Sequence, residues 1–406
     1  MTHEISTPGR ALQFARSDWS RIWLLLLAGI ACAMQIGKVP AALALLRAQF
    51  SVGLVASGWI LSMFSAVGAL FGSVAGLLAD RFGAGRVTVA SLLVMALASA
   101  VGGGAHQTPL LLISRALEGA GFVVTVVAVP SLLIAAAVER DRRIVPSMWG
   151  TYMPVGMALA LAATPPVLSA FGWRAWWQLN AALLAGLAVS IAWSNWRCDA
   201  HAPPRTPAVS GTLRLSGTLR TLLRRPAVLP LAMIFACYTF QFLSVLGFLP
   251  TVLQERGSSR AAAATLTALA IMANALGNLG AGWLFTRRVT PRILICAGMI
   301  GMAAAELVVF APWYSPSLQY AAAVAFSSIA GLVPASIFTA IPDVVPADAR
   351  STMMGIAVQA SHIGQLVGPP TVAAIAAASG GWSASPLVLL PAAGLGLMLA
   401  WSMRSR

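Results

Sequence analysis

Four ionisable side chains, Lys38, Arg115, Glu118 and Glu306, fall inside long apolar runs of this sequence. A charge in hydrocarbon is costly unless it is paired or faces water, so each marks a candidate site. Arg115 and Glu118 stand three apart in ISRALEGAGF, which puts both on one helix face. A carboxylate beside a guanidinium can take up a proton and free its partner for an anion or a new contact. That is the chemistry of proton coupling. The same two residues can also form a static salt bridge that only fixes packing. Lys38 follows Gln35 by three positions, about 24 Å along the first apolar run at ~1.5 Å per residue. It either snorkels to the outer headgroups or, with Gln35 one turn below, lines a cavity. Glu306 is expected to make a packing or helix-helix contact.

Further polar side chains stand at helical positions in other apolar runs: Tyr152, Tyr238, Gln241, Asn274, Asn278, Gln359, His362 and Gln365. Asn and Gln in such places either meet a solute or hold helices together. His362 is either a proton-exchanging group near neutral pH or a histidine bonded to a backbone carbonyl. Four cysteines (Cys32, Cys198, Cys237, Cys296) lack metal-ligand spacing and are expected to be small packing residues. There is no nucleophile-base constellation and no nucleotide-binding loop. Neither an enzyme nor a cofactor is expected.

The elements that must position these groups are membrane spans. Of the residues, 59% are hydrophobic and 9% charged, against about a quarter charged in soluble domains. Twelve apolar runs are each long enough for a helix of ~20 residues: 22–46, 54–79, 86–105, 109–137, 144–171, 175–195, 227–254, 260–285, 291–311, 316–341, 348–377 and 384–402. The expected organisation is a tail at 1–21, a six-helix bundle at 22–195, a linker at 196–226, a second bundle at 227–402 and a tail at 403–406. The linker is rich in Pro, Ser, Gly and Arg, and Leu213 to Leu223 could lie on the membrane as an amphipathic helix.

The net charge of +15 suggests nucleic acid until the bases are placed. With the N-terminus in the cytoplasm, twenty of the 26 Lys and Arg fall in the tails, the linker and the even-numbered loops with their adjoining helix ends. Arg47, Arg174, Arg256 and Arg260 fall outside, and Lys38 and Arg115 within helices. This is the positive-inside bias. It places both termini in the cytoplasm and makes anionic lipid, not nucleic acid, the basic surface's partner. The first 21 residues carry Glu4, Arg10, Arg16, Asp18 and Arg21, a polar tail and not a cleavable signal. With 25 Arg to one Lys and abundant Ala, the composition is that of a GC-rich bacterium.

The halves repeat each other. Gly76-x-Leu78-x-x-Arg81 returns as Gly282-x-Leu284-x-x-Arg287, shifted by 206 residues; Gly150 returns as Gly355, shifted by 205; Gly172-Trp173 returns as Gly381-Trp382, shifted by 209. One near-constant offset at three landmarks indicates an internal duplication.

The loop GLLADRFGAGR, with Gly76, Leu78, Ala79, Asp80, Arg81 and Gly83 in register, resembles the signature loop of the major facilitator superfamily. Ala84 and Gly85 replace two usual bases, and Arg86 comes one place late. Gly83 and Gly85 suit a turn. Arg115, Glu118, Gly119 and Gly121 resemble that family's helix 4 motif. Gly150, Pro154 and Gly156 resemble part of its helix 5 antiporter pattern, with Pro154 expected to kink the helix. Asp343, Pro346, Arg350 and Gly355 resemble its helix 10–11 turn.

The resemblance implies an all-α membrane protein of two pseudo-symmetric six-helix bundles, with a site between them near mid-bilayer. It also implies a latch in which Gly76, Asp80, Arg81, Gly83 and Arg86 hold the halves together, with Asp80 meeting the first turn of helix 11 at Arg350. The cavity set is then Gln35, Lys38, Tyr152, Tyr238, Gln241, Asn274, Gln359 and His362. The expected activity is transport of a small organic solute by a monomer in the bacterial inner membrane. Proton-coupled efflux is favoured, and proton-coupled uptake of a small anion or polar nutrient is the alternative. Lys38 and Arg115 against Glu118 argue against a cationic substrate.

Overall fold

The computed structural model describes residues 17–141, 144–200, 224–346 and 350–403, with some helical side chains omitted. All the regular secondary structure among them is helical. The first bundle begins with α1 (Trp19–Phe50) and α2, a broken span over 54–82 in which Leu54–Ser62, Ala66–Phe71 and Ala75–Phe82 are joined by 3-10 turns Met63–Ser65 and Gly72–Val74. Next come α3 (Ala84–Gly103) and α4 (Thr108–Ala136). A short helix Ile144–Trp149 leads to a run Tyr152–Ala200 broken at Gly172, giving α5 (152–171) and α6 (173–200). The second bundle holds α7 (Val228–Glu255), α8 (Arg260–Thr286), α9 (Pro291–Val309), α10 (Pro316–Ala330 with Leu332–Val344), α11 (Arg350–Ser379) and α12 (Pro386–Ser402). Among the described residues these are twelve spans. Ten stretches are individually long and apolar enough to cross a membrane; dividing the one at Gly172 and adding the 30-residue α11 completes the set.

Helix ends follow local chemistry. Gly83 has φ +87, a conformation that costs other residues a steric clash, and it turns the chain from α2 into α3. Gly85 is not a turn residue as expected; it lies in the first turn of α3, close against the Asn195 side chain. The expected kink at Pro154 is likewise displaced. The chain breaks at Gly150–Thr151, and Pro154 sits in the first turn of the following helix, where its missing N–H costs nothing. Helix α1 starts three residues earlier than expected and α6 runs on to Ala200. The linker helix expected over Leu213 to Leu223 lies outside the described residues.

The duplication has a physical counterpart. Trp173, just after the α5–α6 break, packs on Phe50 at the end of α1, ring centroids 5.8 Å apart. Trp382, just before α12, packs on Phe248 of α7 at 5.0 Å, and its indole N–H donates to Glu255 Oε2 at 2.7 Å. A further repeat is visible once the helices are in view: Pro165–Pro166 inside α5 and Pro369–Pro370 inside α11.

The bundles meet along α2 and α11. From one membrane face to the other, Gly58 lies against Pro369 and Pro370, Ser65 Oγ donates to Gln365 Oε1 at 2.8 Å, Gln359 Nε2 donates to the carbonyls of Ala69 and Leu70 at 3.0 and 3.2 Å, and Gly355 faces Ser73. Helix α8 packs on the 152–200 helices, and α1 touches α7 and α8.

Candidate functional site

The charged groups of the first bundle converge at one point. Lys38 Nζ of α1 donates to Glu118 Oε1 of α4 at 2.7 Å, to Gln35 Oε1 at 2.7 Å and to Ser99 Oγ of α3 at 2.9 Å. It also stands 4.6 Å from the centroid of the Trp177 ring of α6. Arg115, one turn before Glu118, gives Nη1 to the other carboxylate oxygen, Oε2, and to the Gln35 carbonyl at 2.8 Å. One carboxylate therefore serves two cations. The triad carries a surplus positive charge, and all three side chains are fully buried.

A supporting shell fixes the triad. Gln35 Nε2 donates to Asn180 Oδ1 at 3.0 Å and to the Ala31 carbonyl at 3.1 Å; Asn180 in turn donates to the Trp176 carbonyl at 2.8 Å. Ser99 accepts from Lys38 and donates to the Trp177 carbonyl at 3.0 Å. The packing that permits this starts at Gly119, next to Glu118. A methyl group there would overlap the Phe64 carbonyl, so only glycine admits α2 at this depth. That approach, within the 3-10 turn Met63–Ser65, sets the Phe64 ring 4.7 Å from the Arg115 guanidinium. Phe64 packs on Phe122 at 5.1 Å, and Phe122 meets His362 of α11 edge-on at 6.2 Å. The first bundle's charged centre is thus linked by two aromatic rings to the second bundle.

Two polar groups at the ends of that link have no hydrogen-bond partner among the described residues: Nε and Nη2 of Arg115, and Nδ1 of His362. Both residues are buried.

The expected Arg115–Glu118 pair is present. Lys38, expected either to snorkel to the outer headgroups or to line a cavity with Gln35, is fully buried, with Glu118, Gln35 and Ser99 taking all three of its protons. Glu306, expected to make a packing or helix-helix contact, is buried in α9 with neither carboxyl oxygen hydrogen-bonded among the described residues. The remaining cavity candidates divide. Gln241 turns into its own bundle, donating to the Cys237 carbonyl at 2.9 Å and lying 3.8 Å from Met299 Sδ of α9. Asn274 donates to the Ser327 carbonyl of α10 at 3.1 Å and accepts from Asn278 at 2.9 Å. Gln359 bonds across the α2–α11 seam. Tyr238 stacks between Phe235 and Phe242, and Tyr152 stacks on Trp149 at 4.4 Å.

At the loop, Arg81 and Arg86 are exposed and Arg350 is exposed at the start of α11. The side chain of Asp80 and the surroundings of Gly76 lie outside the described residues, and with them the expected Asp80–Arg350 contact. The backbones are close all the same: α11 touches the segment Ala75–Phe82.

Sequence spacing missed Ser99, Trp177, Asn180 and Phe64. For Asn180 a signal existed, an amide buried in an apolar helix one turn after Trp176–Trp177. Phe64 had none, since its role rests on a 3-10 turn in α2.

A family model described as Major Facilitator Superfamily matches residues 25–369 and 245–406. The 3-(3-hydroxy-phenyl)propionate transporter of Escherichia coli (strain K12) is 26% identical over 370 residues, covering 88% of this chain and 87% of that protein. The 2-nitroimidazole transporter of the same organism is 25% identical over 362 residues, 87% of each chain. Among solved structures, a bacterial homolog to the human lysosomal transporter Spinster, in an inward-facing and unoccupied conformation, superposes with a TM-score of 0.78 at 16% identity. That match covers 94% of this chain and 97% of the other.

Proposed function

The chain belongs to the major facilitator superfamily, and we propose that it is a proton-coupled transporter of a small organic solute in which Glu118 is the proton-binding group. Membership makes it a multi-pass membrane transporter and not an enzyme. The observation that carries the coupling assignment is the sharing of one carboxylate between Lys38 and Arg115. A proton on Glu118 removes the only negative charge of the triad and weakens both ion pairs at once, so proton occupancy biases how α1 and α4 are held together. A solute that binds one of those arrangements better is thereby coupled to the proton.

Two directions are open to such a carrier. The helix 4 motif and the partial helix 5 pattern support export. The surplus positive charge of the triad supports uptake of a small anion, as does the relative whose name gives a phenylpropionate. The carrier would work as a monomer in the bacterial inner membrane with both termini in the cytoplasm. The loop at 76–86 would serve as its inner latch, supported by the contact of α11 with Ala75–Phe82. A groove of about 560 Å³ beside this loop that includes Arg81, Arg86 and Phe82 supports the expected contact with lipid.

The test is flux in proteoliposomes with an imposed pH gradient. Glu118→Gln, which mimics the protonated group, should abolish gradient-driven accumulation while preserving solute exchange. Accumulation at the wild-type level would remove Glu118 from the coupling role.

A further inference from the structure

The triad is saturated on one side and open on the other. Lys38 spends its protons on Glu118, Gln35 and Ser99, and Gln35 and Asn180 have partners for their amide donors. Arg115 uses only Nη1. Its Nε and Nη2 groups point the same way from the planar guanidinium and form the fork that matches the two oxygens of a carboxylate. They are buried, unpartnered among the described residues, and flanked by the face of Phe64. A donor pair buried without an acceptor is costly to keep unless something supplies the acceptor.

We infer that Arg115 Nε and Nη2 bind the carboxylate of an organic acid whose apolar or aromatic body lies along Phe64 and Phe122, and that acid and proton load together. The substrate class rests on the proposed transport function. The rings run from Arg115 to His362, whose free Nδ1 is suited to a polar substituent at the far end of the acid. Since Phe64 and Arg115 belong to the first bundle and His362 to the second, a bound acid touches both.

Joint loading follows from charge. Around Glu118, α1 presents Lys38 and α4 presents Arg115; α3 presents the Ser99 hydroxyl, α6 the Trp177 ring and α2 the Phe64 ring. Glu118 is the only acid in this shell among the described residues, and it sits on the other side of the guanidinium from the free fork. An incoming carboxylate is repelled by ionised Glu118 and not by the protonated form. Proton and acid therefore assist each other, which makes them passengers in the same direction.

The experiment is calorimetric binding of 3-phenylpropionate and of its primary amide to the detergent-solubilised full chain at pH 6 and pH 8. The variants are Arg115→Gln, Arg115→Lys and Glu118→Gln. The wild type should bind the acid at least tenfold more tightly than the amide at pH 6, with a smaller preference at pH 8. Arg115→Gln should bind the two alike. Arg115→Lys, which keeps the charge and is the folding safeguard, should retain only part of the preference. Glu118→Gln should keep the full preference at both pH values. Acid and amide binding within twofold, no binding of either, or an undiminished preference in Arg115→Lys would overturn the assignment. Binding here requires no coupling, so its failure alongside intact gradient-driven flux removes the carboxylate site and leaves Glu118 in place. Loss of coupling with binding intact does the reverse.

Discussion

Replacing Glu118 by Gln should destabilise the protein far more than replacing Lys38 by Met, although both changes cut the same 2.7 Å contact. Glu118→Gln leaves Lys38 and Arg115 buried on either side of a neutral amide. They bind opposite oxygens of one carboxylate, so they stand about 6 Å apart and repel by ~3 kcal/mol at an effective dielectric constant near 20. The whole loss should be about 3–5 kcal/mol, the range found when one partner of a buried ion pair is removed. Lys38→Met leaves Arg115 and Glu118 paired and neutral as a unit. Its cost lies in the acceptors of Glu118, Gln35 and Ser99, which each lose a donor while Glu118 keeps Arg115 as its counter-charge, about 2 kcal/mol. The double variant should be more stable than Glu118→Gln alone by roughly the ~3 kcal/mol of repulsion relieved. Unfolding in dodecyl maltoside micelles titrated with SDS, followed through the tryptophan fluorescence, measures all three. If Lys38→Met costs as much as Glu118→Gln, or the double variant is the least stable, Glu118 is not the hub of the triad.

Two further expectations test the framework around it. Gly119→Ala puts a methyl group into the Phe64 carbonyl, which cannot yield without moving α2, and should cost ~1–3 kcal/mol; Gly186→Ala, which meets nothing, is the matched control in the same assay. At the seam, a side chain added at Gly355 would stand 3.8 Å from Ser73 Cβ, the spacing of a disulfide at about 3.8 Å. Ser73→Cys with Gly355→Cys should cross-link under mild oxidant and stop flux until reductant is added; free flux in the cross-linked protein would exclude opening of α2 from α11 during transport.

Much of this architecture was legible in the residues because membrane spans announce themselves by length and apolarity. Arg115 and Glu118 were legible as a pair since three positions on a helix fix a shared face. The partner of Lys38 was not, because it lies on another helix, and which residues of α1 and α4 face each other depends on how tightly Gly119 lets α2 close in. The same limit explains Gln241 and Asn274. Each stands on a helix expected to line the centre, but its rotation about that helix turns it toward α9 or α10, and sequence spacing carries no reference for that angle. Pro154 was placed on the right helix and given the wrong role, since a proline bends a helix only where a turn precedes it. The Trp173 and Trp382 landmarks carried over intact, each capping the start of a span against the preceding helices of its bundle.

The surplus charge of the triad has an electrical meaning. With Glu118 ionised and the fork empty, Lys38, Arg115 and Glu118 sum to one positive charge; with a proton on Glu118 and a carboxylate on Arg115 they sum to one positive charge again. A charge crossing the full membrane field exchanges about 2.3 kcal/mol per 100 mV, but here whatever is gained on the loaded stroke is returned on the empty one. A carrier loaded in the proposed way would draw on the pH difference alone and would work equally well in a depolarised cell.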